Sequence, residues 1–448
     1  MGAGLPGAAP ELTTARGHTP WPADPADKAD KADPAGIAEV VAEAGRLLLA
    51  NGHTTDDTVR RIEGLARAYG LQVTAVPAWS SLTLVGAPGT ALVTLPVTPL
   101  GVNMRVVTAV LATVAAAGGP DGPPEPGVLR ERLRTASALR PYPTWVFAIA
   151  AATGATALAV IFGAVRPSSF VLIPLAAALG AVARRALGRR GVDLVGQAFA
   201  AALIAGLAGA VSIVLDVTSA ARLVAVCPAM VLVPGPHLLN GVLDLAAKRM
   251  SIGLGRVTYG SLIVLAICAG LLLGLLPAGP LPVTATSLSV PLWLDVVAAA
   301  VAAASYPVYF SLDARLIVWP VLVGALAHAL RWVSMSQLGA GVAVGAFVAC
   351  VAAGLLLTPV ARRYGASFAG VGFAAVVALV PGVFIFRGVA GLFDLSVHAT
   401  PELVTAVAGD LSTGLVTLTA MGVGLAASHA RAARLLRGSP STGKTTTR

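Results

Sequence analysis

Leu232-Val233-Pro234-Gly235, with Gly241-Val242 six residues beyond the glycine, recurs as Leu379-Val380-Pro381-Gly382 with Gly388-Val389, displaced by 147 residues in both parts. Each copy lies inside a long apolar stretch and breaks it with a Pro-Gly pair. Proline has no N–H to donate and its ring crowds the preceding turn, so a helix loses a backbone hydrogen bond there and unwinds. Interrupted helices at matching places in two halves of a membrane protein point to a transporter's binding site.

The stretches on either side set the class. Hydrophobic residues make up 56% of the 448 and charged residues only 12%, more apolar surface than a soluble exterior tolerates, in runs long enough to cross a bilayer. The chain reads as a polytopic α-helical membrane protein. Cys227, Cys268 and Cys350 fall in apolar stretches without disulfide or metal-ligand spacing, which argues against a disulfide or zinc framework. No metal, cofactor or catalytic constellation is expected. The net charge of +10 would suit nucleic acid, but the basic residues gather in short loops and the tail, where membrane topology accounts for them.

Residues 1–36, rich in Ala, Pro, Gly and Asp and lacking apolar periodicity, read as a disordered arm. The arm has no apolar core of a secretory signal, so the N-terminus is expected in the cytoplasm. Residues 37–140 read as a small soluble α+β domain. Its expected elements are a helix over 37–50 closed by Asn51-Gly52, and a second to residue 69 capped by Thr54 or Thr55 with Asp57 in its first turn. Strands near 71–76, 80–85 and 91–95 follow, then an apolar helix near 102–117 and a basic helix leading to the membrane. Within Asn51-Gly52-His53-Thr54-Thr55-Asp56-Asp57 the His, Thr and Asp residues could suggest a hydrolytic site. Capping accounts for the Thr and Asp residues at that spacing, and no second cluster completes a triad or metal site, so a gating or partner-binding domain is expected. The tail sequence Gly438-Ser439-Pro440-Ser441-Thr442-Gly443-Lys444-Thr445 matches the nucleotide-binding P-loop pattern but has no following helix to hold a phosphate.

Ten spans follow, at 142–165, 168–183, 192–215, 221–243, 257–277, 290–310, 316–333, 338–358, 366–390 and 403–428. This division puts Arg184, Arg185, Arg189, Arg190, Lys248, Arg249, Arg256, Arg315, Arg362, Arg363 and the basic tail on one side. Only Arg166, Arg222, Arg331 and Arg387 fall on the other. Both termini are therefore expected in the cytoplasm. The 147-residue shift lays the fourth span on the ninth, giving five spans in each half, 141–277 and 290–428, before a basic tail at 429–448. Five is odd, so the second half enters the membrane in the opposite sense, as two inverted five-helix repeats. Gly270 to Gly274 and Gly341 to Gly345 would let helices approach closely.

Taken in order, Leu47-Leu48-Leu49-Ala50-Asn51-Gly52-His53-Thr54, the first Leu-Val-Pro-Gly leading to Asn240-Gly241 and Asp244, and the second Leu-Val-Pro-Gly resemble the bacterial threonine/serine exporter family. The resemblance covers the cytoplasmic domain and both halves. It implies a multi-pass exporter of small hydroxylated amino acids in the bacterial cytoplasmic membrane, driven by the proton motive force. Its partners would be the amino acid, protons and the lipid bilayer, with a homo-oligomer open and nucleic acid excluded. Split relatives are linked to dicarboxylate export, which keeps succinate open as a substrate. The competing classes are a membrane-anchored enzyme acting through residues 37–140 and a channel or scaffold. Primary ATP-driven transport is disfavoured because no nucleotide-binding domain is present.

The repeat also suggests the site. Under the 147-residue shift Asn240 aligns with Arg387, a neutral amide in one half against a permanent cation in the other. Arg387 is expected to take the substrate carboxylate bidentately and Asn240 to orient its polar groups, with backbone groups freed at Pro234-Gly235 and Pro381-Gly382. The alternative is an Arg387 that snorkels to the interface. Proton coupling needs a group that changes charge within the membrane. Asp410, Asp295, Asp244 and His328 are the candidates, Asp410 first because its flanks are the most continuously apolar. The competing readings are an Arg-paired or wet carboxylate and, for His328, a ring satisfied by a carbonyl. His237, inside the first break, is a further titratable candidate.

Overall fold

The structure is a computed structural model that describes residues 33–98, 101–119, 122–216, 221–278, 290–396 and 398–438. The expected arm up to residue 32 and the P-loop-like tail beyond residue 438 lie outside the described residues. The first helix, α1 (Pro34–Ala50), starts three residues inside the expected arm. Asp33 accepts a hydrogen bond from the Ala35 N–H at 3.2 Å and proline, with its fixed φ, takes the first helical position, so the start is set by local chemistry.

The N-terminal unit is α+β, as expected. After α1 come α2 (Thr55–Ala68), an antiparallel sheet of β1 (Val73–Pro77), β2 (Ser81–Gly86) and β3 (Ala91–Pro96) in sequential order, α3 (Met104–Ala117) and α4 (Pro126–Ser137). The strands alternate, with Leu82 and Leu84 of β2 buried against α1 while their neighbours are partly exposed. The helix α1 is the hub, since Val41, Leu48 and Leu49 are fully buried between α2, the sheet, α3 and α4.

The apolar part comprises α5 (Thr144–Ile161), α6 (Ser169–Arg189), α7 (Leu194–Val214), α8 (Ala221–Met230), α9 (Gly235–Ala246) and α10 (Met250–Leu275). After the linker follow α11 (Leu292–Tyr309), α12 (Val318–Ser336), α13 (Val342–Arg363), α14 (Phe368–Val376), α15 (Gly382–Leu395) and α16 (Pro401–Gly438). Among the described residues eight helices are long and apolar enough to cross a membrane alone, and two bent pairs bring the total to ten if each pair is one span. The bends, 57° between α8 and α9 and 65° between α14 and α15, fall at the two Pro-Gly positions.

Several helices overrun the expected spans. The last turns of α6 include Arg184, Arg185 and Arg189, α10 begins at Met250 and so contains Arg256, and α16 continues to Gly438. Charged side chains mark where a hydrophobic stretch ends, but arginine is a good helix former and does not stop the backbone. The packing recurs between halves. As α5 packs on α6, α7 on α10 and α9 on α10, so α11 packs on α12, α13 on α16 and α15 on α16, while α5 and α11 join the halves. Gly270 and Gly274 bring α10 against the backbone of α7, as expected; Gly341 meets nothing.

Candidate substrate site at the first helix break

The break at Pro234 frees the carbonyl of Met230, which in a continuous helix would accept from residue 234. The buried Tyr306 hydroxyl, from the end of α11, donates to it at 3.2 Å, and the Val233 N–H lies at 3.4 Å. The orphan acceptor created by proline is therefore satisfied from the other half of the molecule. Gly235, the first residue of α9, is pressed beneath the Phe373 ring of α14. That ring is in turn boxed by Tyr306 and Phe310, with centroids 6.4 and 6.1 Å away. The first break thus packs on the limb that leads into the second.

A cavity of about 230 Å³ opens beside this break. Its polar lining is Arg184 and Arg185 of α6, Gln197 of α7, His237 of α9 and Tyr309 of α11, and both Pro234 and Gly101-Val102 of the N-terminal unit border it. Arg185 lies over the Phe147 ring at 4.4 Å. Among the described residues Arg184 pairs with no acidic side chain; the groups that feel its charge are Tyr309, Tyr259 and Arg185. His237 stands edge-on to Tyr259 at 5.5 Å. A guanidinium without a carboxylate partner, an amide and a phenol around a space below the drug-sized range can hold a small carboxylate-bearing solute.

The N-terminal unit is seated on α9 and α10 by polar contacts that the sequence did not disclose. The Thr55 hydroxyl donates to Asp244 at 3.0 Å, and Arg256 donates to the same carboxylate at 2.9 Å and to Thr55 at 3.1 Å. The Asp244 and Arg256 side chains are only 3% and 1% exposed. Asn240 donates to the Gly52 carbonyl at 3.0 Å while its own oxygen finds no partner, and Arg249 pairs with Asp56 at 3.1 Å. On the second half, the Met104 N–H donates to the Phe310 carbonyl at 2.8 Å. The capping expectation is corrected here. Thr54 stands at the N-cap but makes no side-chain capping bond, because its stretch is ordered by the docking partners. Burial alone would raise the Asp57 carboxyl, but the hydrogen bond from His53 and the charges of His53, Arg61 and Arg60 outweigh it and hold that carboxyl well below the usual range.

The remaining expected site residues form separate pairs. Arg387 Nε lies 2.9 Å from Asp410, an ion pair by distance although the N–H is not aligned as a hydrogen bond. Asp295 and His328 Nδ1 meet at 3.0 Å, both buried. Pro381-Gly382 forms the second break, where Gly382 borders an apolar cavity of about 330 Å³ between α8, α10, α15 and α16. Neither Asn240 nor Arg387 lines the polar cavity. No group of three or more metal-ligating side chains is gathered among the described residues.

Two models of the threonine/serine exporter family, ThrE and ThrE_2, match residues 39–276 and 295–430. The chain belongs to the threonine/serine exporter family. No curated protein and no solved structure matches it. The two matches divide the exporter at the linker between α10 and α11, with the N-terminal unit joined to the first half. Sequence reasoning found both breaks of this exporter but missed Arg184, Thr55 and Tyr306. Arg184 had a usable signal, for the 147-residue shift sets it opposite Arg331, repeating a cation at the corresponding position of both halves. Thr55 and Tyr306 had none, because their partners lie 189 and 76 residues away.

Proposed function

We propose that this exporter is a secondary transporter that carries threonine and serine out of the bacterial cytoplasm in exchange for protons, and that it acts by transport and not as an enzyme. The observation that carries the reading is the cavity at the first break. It joins an acid-free Arg184 to a Pro-Gly interruption, the arrangement by which transporters bind small charged solutes beside irregular backbone. Arg184 takes the substrate carboxylate, Gln197 and Tyr309 meet its remaining polar groups, and Pro234-Gly235 lets the backbone approach.

The N-terminal unit marks the cytoplasmic face, since the arginine-rich helix ends lie on its side. The chain is then a ten-span protein with both termini inside and its halves as inverted repeats, a reading supported by the recurring helix pairs and the matching breaks. On this reading the cavity faces the cytoplasm. Arg387, with Pro381 and Gly382, serves the conformation open to the other side, where parting from Asp410 frees its charge. Asn240 and Asp244 hold the N-terminal unit over the first broken helix. The intramembrane ionisable groups available for coupling are Asp295, His328, Asp410 and Asp244.

Purified exporter in liposomes, assayed with labelled threonine, serine and succinate under an imposed pH gradient, tests the reading. Threonine and serine flux that rises with the gradient and falls in Arg184→Gln supports it. Flux of succinate alone would favour the dicarboxylate reading, and no flux of any of the three would end the transport reading.

A further inference from the structure

Asp295 and His328 form a buried acid–base pair inside the second half. Asp295 projects from the first turn of α11 and His328 from α12, the carboxylate oxygen lies 3.0 Å from Nδ1, and the His328 Nε2 has no hydrogen-bond partner. The His328 side chain is 0% exposed and that of Asp295 5%. Arg331, one turn further along α12, is near enough for its charge to act on Asp295. Among the described residues no other charge faces the pair. The adjoining α14 carries no ionisable side chain, α5 carries none, and on α13 the charges, Arg362 and Arg363, stand at its last turn.

The fold does not need this pair. The 147-residue shift sets Ala181 opposite His328. Whether α5 is aligned at 147 or at the 148 that lays Pro143-Thr144-Trp145 on Pro291-Leu292-Trp293, the residue opposite Asp295 is apolar, Ala148 or Phe147. The α5–α6 crossing therefore packs without charge where α11–α12 carries two ionisable groups, and buried ionisable groups in a membrane are costly unless they are used. The same helix leads to the substrate site. Asp295 and Tyr309 are 14 residues apart on α11, roughly 21 Å at 1.5 Å per residue. The far end of α11 supplies Tyr306 to the first break and Tyr309 to the cavity.

We propose that the Asp295–His328 pair is the binding site of the exchanged proton, an assignment that rests on the proton-coupled reading above. With Asp295 ionised and His328 neutral, Nδ1–H donates to the carboxylate, and the single charge of Asp295 is offset by Arg331. One proton added at Nε2 converts the pair to imidazolium and carboxylate, and its release on the other side restores the first state. The change of charge acts on α11, whose opposite end braces the broken helix beside the substrate.

The test uses full-length exporter in liposomes, with threonine counterflow at equal pH and threonine uptake under a pH gradient measured side by side. Asp295→Asn and His328→Gln are expected to retain counterflow and lose the stimulation by the gradient, reducing driven uptake at least tenfold, and to lose the proton movement that an internal pH dye records with threonine. Variants that keep full stimulation overturn the assignment. So do variants that elute like wild type yet lose counterflow too, because the pair would then serve substrate or structure. Wild-type counterflow with no response to the gradient removes proton coupling and the assignment with it while leaving transport standing. A wild type without counterflow removes the transport reading itself.

Discussion

The two glycines of the repeated Leu-Val-Pro-Gly should respond in opposite ways to the same substitution. Neither Gly235 nor Gly382 has a positive φ, so alanine is permitted by the backbone and only the surrounding space decides. A Cβ on Gly235 would fall within the Phe373 ring, far inside the roughly 3.5–4.0 Å optimum for carbon–carbon contact. The ring cannot swing away, because Tyr306 and Phe310 hold it and it is only 5% exposed. A Cβ on Gly382 would instead meet Met230 Cγ at 3.1 Å and Cε at 3.2 Å, and methionine is unbranched and can rotate aside. Overpacking a rigid site costs about 3 kcal/mol, against which alanine returns up to about 1 kcal/mol of helix propensity. Gly235→Ala should therefore lose about 2 kcal/mol or more, and Gly382→Ala should stay within about 1 kcal/mol of wild type. Thermal unfolding of solubilised protein, paired with threonine counterflow, reads both effects, and Phe373→Leu should restore part of the loss in Gly235→Ala. A Gly235→Ala protein that melts and transports like wild type, or a Gly382→Ala protein that is the more damaged, would refute the argument.

Other consequences can be checked independently. Arg256→Met leaves Asp244 buried against Thr55 alone and should cost about 3–5 kcal/mol, whereas Asp244→Leu with Arg256→Met should recover most of it; a double-mutant cycle of unfolding measurements that shows no coupling would contradict the seat. Tyr306→Phe leaves the Met230 carbonyl only the long bond from the Val233 N–H and should cost about 1 kcal/mol, seen as a lower melting temperature that Tyr309→Phe does not reproduce. Because the folded Asp57 carboxyl titrates below its ordinary value of 3.8, its stabilisation is complete above that pH and is lost as pH falls through the folded value. Asp57→Asn should therefore be less stable than wild type from pH 7 to 5, with the gap narrowing below pH 3.8. Arg184→Lys should raise the KM for threonine less than Arg184→Gln does, since a point charge survives but the bidentate fork does not.

Much of the fold was legible because it follows from local chemistry. The strands fell within two residues of their expected limits, and both broken helices were marked by proline, whose missing N–H acts wherever it stands. The ends of α6, α10 and α16 differ from the expected borders because arginine closes an apolar stretch yet continues a helix readily. The site was less legible. Asp410 and Asp244, expected as coupling groups, each sit beside an arginine, which was the competing reading for them. Asn240, expected at the substrate, donates to the Gly52 carbonyl of the N-terminal unit. Asn51-Gly52-His53-Thr54-Thr55-Asp56-Asp57 looked like capping because capping is the only use of those residues visible at short range.

The sequence alone determined that this chain is a multi-pass membrane protein with two interrupted helices in corresponding halves, since apolar run length and proline's lost donor act through nearest neighbours. It could not rank the two interruptions, because their letters are the same. Tertiary packing made them unequal. One glycine lies under a held aromatic ring beside a cavity lined by Arg184, and the other lies against a yielding methionine. A buried charge or a crowded Cβ takes its energy from atoms far away along the chain, and only the fold decides which atoms those are.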